Sequence, residues 1–313
     1  MFPSDTVLGV FFISQICVGF MGNSMLFILY IYTVLSQSPL KKPIDLIFIH
    51  LTFVNILTIM FKLIPDLMSS FGVRHFLDDV GCKVTLFVYR VTRGLSICLT
   101  TFLSAFQAIT ISPGRSKWVR LKSKFSTCIY PSFLFFWILN TLIYVIITTT
   151  LEANHNFTVA RSAYAQIYCH SKQLEQHHLM AFLSVILIRD LLCVVFMMLS
   201  SIYMVNLLYK HHQKAQCIHS PNVSSQPAPE IKASHTILLL VSCFGFFYCS
   251  NNFLTLYLLY RQNPRLERIN GIIASCYPTI CSFVLMKNNK IISKLTFSLS
   301  KVRITFSQGT FNR

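Results

Sequence analysis

Acidic residues are scarce in this chain. Ten Asp and Glu stand against 27 Lys and Arg in 313 residues, and charged residues of both signs make up only 12% of the total. A soluble surface of that size draws on about 25% charge, so no large water-exposed domain is encoded. The scattered carboxylates leave little for general acid–base work. There is no Gly-rich phosphate loop and no nucleophile elbow. His177-His178 and His211-His212 are adjacent pairs, whereas a helical metal site needs i, i+4 spacing; they read as solvated loop-edge residues. These absences argue against an enzyme, a cofactor or a metal.

What the chain has instead is apolar sequence: 54% hydrophobic residues and a mean hydropathy of +0.58. A run of about 20 apolar residues spans the ~30 Å hydrocarbon core at 1.5 Å per residue. Seven such runs are predicted, at 7–35, 44–67, 82–112, 127–150, 179–209, 233–260 and 268–286. The fold class expected is an all-α membrane protein, a seven-transmembrane-helix bundle over 1–286 followed by a basic cytoplasmic tail over 287–313. The first run is read as a membrane helix, not a cleaved signal, because no basic n-region precedes it and it outlasts an h-region of about 7–15 residues.

Orientation follows from Lys and Arg, which concentrate on the cytoplasmic side. With the N-terminus outside, inner segments hold sixteen of the 27 and outer segments six, the other five lying within helices. The formal charge of +17 is then mostly a topology signal and an attraction to anionic inner-leaflet lipids. A nucleic-acid partner is not expected, since no basic soluble module is present. Of eleven cysteines, only Cys82 and Cys169 face the oxidising side in this topology, so they are expected to form a disulfide. Asn156-Phe157-Thr158 is a glycosylation sequon on the same side; Asn222-Val223-Ser224 falls inside and should stay unmodified.

Polar and breaker residues mark the helices individually. Asn23 lies at mid-membrane in the first helix, and His50 and Asn55 of the second are plausible partners. The third helix stops at Pro113, and the basic segment 115–124 follows. Pro278 within Cys276-Tyr277-Pro278-Thr279 should kink the seventh.

These residues resemble the vomeronasal type 1 receptors, a family of seven-helix G-protein-coupled receptors for pheromones. The likeness rests on His50-Leu51 with Asn55, on the block from Cys98 to Pro113 (Cys-Leu-Thr-Thr-Phe-Leu-Ser-Ala-Phe-Gln-Ala-Ile-Thr-Ile-Ser-Pro), and on Trp118 with Leu121-Lys122. Trp137-Ile138-Leu139-Asn140, the Cys169 loop, Tyr209-Lys210-His211-His212-Gln213 and Tyr277-Pro278-Thr279 extend it. The resemblance implies a receptor in the plasma membrane of vomeronasal sensory neurons, a small-molecule pheromone or odorant ligand, and an inhibitory-type heterotrimeric G protein. The acidic-Arg-aromatic triplet of rhodopsin-like receptors is missing; Thr110-Ile111-Ser112 stands there. A bitter-taste-type receptor and a small membrane transporter are the alternatives, though no repeated pattern of broken helices supports transport.

Charges inside the membrane point to a site, because each costs several kcal/mol when unpaired. Arg90 and Arg93 share one face of the third helix at about 12 and 16 Å from Cys82. Arg189 and Asp190 in the fifth helix lie at a similar depth, so a third-helix arginine is expected to meet Asp190, leaving Arg189 to another partner. Such a pair is either structural or part of an outer-half ligand pocket with Tyr89, Arg90, Arg93, Asp190, Tyr248, Asn251 and Asn252. Its net positive lining would suit a sulfated or carboxylated ligand. Lys62 and Asp66 are read as snorkelling charges. The G-protein face is expected at Ser112, Arg115, Lys117, Arg120, Lys210 and Lys214. Ile291, Ile292, Leu295, Leu299 and Val302 recur at helical spacing among lysines, the pattern of a short amphipathic helix on the inner membrane surface.

Overall fold

The structure is a computed structural model, and among the described residues it has seven long helices and one short strand pair. It describes residues 3–36, 43–73, 76–112, 116–146, 151–153, 169–171, 176–218, 229–260 and 264–288. The helices are α1 (Pro3–Ser36), α2 (Pro43–Ser70), α3 (Asp79–Ile111), α4 (Ser116–Tyr144), α5 (Gln176–Ile218), α6 (Pro229–Tyr260) and α7 (Pro264–Asn288). Strands β1 (Leu151–Ala153) and β2 (Cys169–Ser171) pair antiparallel, with Ala153 opposite Cys169. All seven helices are long and apolar enough to cross a membrane. The Asn156 and Asn222 sequons, Arg115 and the 289–313 tail lie outside the described residues.

Local chemistry sets the helix ends. Asp78 caps α3, its carboxylate accepting from the Gly81 amide at 2.7 Å, a contact worth about 1 kcal/mol. Gly72 ends α2: at φ 76° it adopts the left-handed turn that lets the Val73 amide reach the Met68 carbonyl at 3.1 Å. Proline occupies the first position of α1, α2, α6 and α7, where its missing N–H costs nothing. Several helices outrun their apolar spans. α4 starts at Ser116 instead of 127, because the Lys- and Arg-rich stretch continues as helix beyond its membrane-crossing part, Thr127–Tyr144. α5 reaches Ile218, its 43 residues being far more than the hydrocarbon core requires.

α3 is the axis of the bundle. Within its most apolar 18-residue stretch 78% of the residues are buried, against 11% for the corresponding stretch of α5. It packs against α2, α4, α5, α6 and β1, while α1 leans on α2 and α7. Outward residues such as Leu187, Leu191 and Phe196 of α5 are exposed, the face a bilayer would solvate.

Between the helices, polar groups close on one another. The Asn23 amide donates to the Pro278 carbonyl at 3.0 Å, and Asn55 Nδ2 donates to Asn23 Oδ1 at 3.3 Å. His50 takes no part in that knot, contrary to expectation; its ring stacks on Phe133 of α4 with centroids 4.0 Å apart. Cys82 and Cys169 are joined by a disulfide, Cα atoms 5.9 Å apart, which fastens β2 to the start of α3.

Candidate functional site

The buried charges converge in the half of the bundle that carries the disulfide. Arg189 bonds its own neighbour: Nε and Nη2 both donate to Asp190 Oδ1, at 2.8 and 2.6 Å. Its remaining donors reach α4, Nη1 to Asn140 Oδ1 at 2.6 Å and Nη2 to the Tyr144 hydroxyl at 3.1 Å. The expectation that a third-helix arginine pairs with Asp190 while Arg189 looks elsewhere is therefore corrected. Adjacent helical residues point about 100° apart, yet the long arginine stem folds back far enough to engage the next carboxylate. The second Asp190 oxygen accepts from the Tyr248 hydroxyl of α6. The charges of Arg93 and Arg90 also bear on this carboxylate.

Arg93 sits on the other side of Tyr248. Its guanidinium carbon lies 5.1 Å from the Tyr248 ring centroid, a cation–π contact. Its hydrogen bonds go to neutral groups, the Tyr89 hydroxyl at 3.1 Å and Asn252 Oδ1 at 3.3 Å. Tyr248 thus joins Arg93 to Asp190, ring to one and hydroxyl to the other. Arg90 stands 5.7 Å from the Tyr89 ring centroid. Asn251 is tied to α7, donating to Asn270 Oδ1 at 2.6 Å.

Lys62 and Asp66 are not snorkelling. They form a buried ion pair at 3.0 Å, and Lys62 also lies 5.4 Å from the Tyr89 ring centroid. The apposed α7 carries Gly271 at this level, which leaves room for the Asp66 carboxylate. Lys62 with Asp66 and Arg189 with Asp190 each balance in charge, whereas Arg93 bonds neutral groups, so the positive character of the cleft wall rests on Arg93.

Beside Arg93 a cleft opens between α2, α3, α6 and α7, with about 360 Å³ of atom-free space, its open mouth included. Of the residues expected to line a pocket, Arg93, Tyr248 and Asn251 do so; Asp190, Tyr89 and Asn252 hold them from behind. Phe244, Phe247 and Ile273 supply apolar wall. Sequence reasoning missed Asn140 and Tyr144 as partners of Arg189. The same rule applied to the third and fifth helices would have found Asn140, a polar side chain within an apolar span.

At the opposite end of the bundle, Ser112 Oγ contacts the Ala108 carbonyl and the Tyr203 hydroxyl of α5, each at 2.8 Å. Lys117 and Arg120 lie in the first turns of α4, and Lys214 in the last turns of α5; Lys210 is exposed on α5. No group of three or more His, Cys, Asp or Glu fit to hold a metal occurs among the described residues.

Seven membrane-crossing helices, with polar side chains drawn inward around a cleft, define a heptahelical membrane protein. Residues 6–298 match the Vomeronasal organ pheromone receptor family, and the chain belongs to it. It is 35% identical to human vomeronasal type-1 receptor 3 over 94% of this chain and 95% of the relative. Identity to vomeronasal type-1 receptor 4 of Pongo pygmaeus is 34%, over 91% and 95%. Olfactory receptor class A-like protein 1 of Danio rerio is 28% identical over 91% and 90%. The protein is a multi-pass membrane receptor of this chemosensory family, not an enzyme.

Proposed function

We propose that the chain is a pheromone or odorant receptor that binds a small ligand in the cleft beside Arg93 and activates an inhibitory-type G protein. The observation that carries this reading is Arg93 itself, a buried-side guanidinium on the cleft wall whose hydrogen-bond partners, Tyr89 and Asn252, are neutral. A cation held against aromatic walls favours an amphipathic ligand with a carboxylate or sulfate group. The relatives' names, as pheromone, vomeronasal and olfactory receptors, support the chemosensory role.

In this reading the N-terminus and the disulfide end face outward, Asn156 carries glycan, and the basic tail lies in the cytoplasm with its amphipathic helix on inner-leaflet lipids. Ser112, Arg115, Lys117, Arg120, Lys210 and Lys214 form the face that meets the G protein, and the site of action is the plasma membrane of vomeronasal sensory neurons. Cells expressing the receptor with inhibitory-type G protein should respond to carboxylated or sulfated amphiphiles. The response should vanish with pertussis toxin and with Arg93→Gln at normal surface expression. Responses that survive Arg93→Gln unchanged would move the ligand elsewhere.

A further inference from the structure

Hydroxyl side chains on α3 mostly bond their own helix. Thr92, Thr100, Thr101, Thr110 and Ser112 each donate to the carbonyl four residues earlier, at 2.8 to 2.9 Å. Ser96 does not. The residue is 4% exposed, it lines the cleft, and its Oγ has no hydrogen-bond partner among the described residues. A buried hydroxyl left unmatched is costly, and native interiors rarely keep one without a reason.

The other hydroxyl groups on the cleft wall are already engaged. Thr58 Oγ1 donates to the Val54 carbonyl at 2.9 Å, and the Tyr277 hydroxyl meets Thr100 Oγ1 at 3.0 Å. Asn251 is held by Asn270, and Arg93 by Tyr89 and Asn252. Ser96 follows Arg93 by three residues, so it lies on the same face of α3 about 4.5 Å further from the disulfide end.

We propose that Ser96 is the specificity-determining residue of the cleft, reserved for a hydroxyl or carbonyl group on the inner end of an amphipathic ligand. The inference rests on the cleft being the ligand site. It adds a second requirement to the anionic group at Arg93: a neutral polar group on the end that enters first. A ligand without it would leave the Ser96 hydroxyl without a partner.

Four probes separate the two claims: 3-phenylpropionate, its 4-hydroxyphenyl analogue, and the methyl ester of each. Binding is read from the melting temperature of the full-length receptor in detergent, titrated with each probe. The wild type should bind the hydroxylated member about tenfold tighter in both the acid and ester pairs. Ser96→Ala should bring that ratio within twofold, leave the non-hydroxylated probes within threefold of wild type, and not lower the melting temperature of the free receptor. Ser104→Ala is the matched control. That hydroxyl is also buried and without a partner among the described residues, but does not line the cleft, so the ratio should persist.

A wild-type ratio near one, or a ratio that survives Ser96→Ala, overturns the proposal. So does a drop of several degrees in the free Ser96→Ala receptor, which would make the hydroxyl structural. A Ser96-dependent ratio with acids and esters bound equally would sink only the anionic reading. Failure of all four probes to shift the wild type at millimolar concentration would sink both.

Discussion

Gly94 of α3 and Arg189 of α5 share one crossing point: a methyl group on Gly94 would stand 2.6 Å from Nη1 of Arg189 and overlap the Asn140 amide oxygen that this nitrogen bonds. The absent side chain is what lets an arginine from α5 pass across the central helix to α4. One hydrogen position on α3 therefore decides whether three helices are tied together at this level.

Replacing that hydrogen should be costly. Gly94→Ala forces the Asn140–Arg189 contact apart, and overpacking of this kind costs about 1–3 kcal/mol. The expected outcome is a lower melting temperature and reduced surface expression, largely restored by Asn140→Ala in the same chain, which removes the obstructed atom. A Gly94→Ala receptor as stable as wild type would show that the crossing is loose.

Asp190 and Tyr248 should differ in weight. Asp190→Ala strips Arg189 of its carboxylate, and an uncompensated buried charge costs about 3–5 kcal/mol. Tyr248→Phe removes one hydrogen bond to a carboxylate that Arg189 still satisfies, about 1.5–3 kcal/mol. Ligand-free thermal denaturation of the two variants should rank them in that order. The reverse ranking would mean that Arg189 is adequately served by Asn140 and Tyr144.

How much of this was legible beforehand depended on how hard the environment constrains the chain. Hydrocarbon demands long apolar runs, so all seven crossings could be read directly. Where helices end in water no such demand exists, and α4 began at Ser116, well before its apolar run. Buried charges drew attention to these helix positions, but not to how they pair. Arg189 turned to its neighbour, and Lys62 and Asp66, close to a helix end, faced inward where α7 presents Gly271. Ser96 carried no sequence signal, because serine in a membrane helix ordinarily bonds its own backbone.

The topology has a direct test. If the disulfide end faces outward, Asn156→Gln should abolish the glycosidase-sensitive gel shift of the expressed receptor, and Asn222→Gln should leave it intact. The opposite result would invert the whole arrangement, placing Lys210 and Lys214 outside.

The disulfide should be an obligatory element of the same face. Cys82 and Cys169 are separated by 87 positions in sequence, and bridges of this kind typically contribute about 2–4 kcal/mol. Cys82→Ser, Cys169→Ser and the double variant should lose the same stability, since each leaves β2 unfastened. Additive losses in the double variant would mean that the two thiols act separately.

At the other end, Ser112 and Tyr203 join α3 to α5 by a single hydroxyl pair at 2.8 Å. Either hydroxyl can donate in this contact, and Ser112 Oγ also meets the Ala108 carbonyl at 2.8 Å. This receptor lacks the charged triplet that would otherwise fasten the end of the third helix, so a neutral bond stands in that neighbourhood. A neutral hydrogen bond contributes about 0.5–1.5 kcal/mol net, which corresponds to a twofold to roughly tenfold change in a two-state equilibrium. Tyr203→Phe removes the hydroxyl while keeping the ring, and should loosen α5 from α3 at the proposed G-protein face. Ligand-independent nucleotide exchange on the G protein should rise within that range, with probe affinity in the distant cleft changed less than twofold. Unaltered basal exchange, with the variant at wild-type abundance on the membrane, would show that this tie does not hold the resting state.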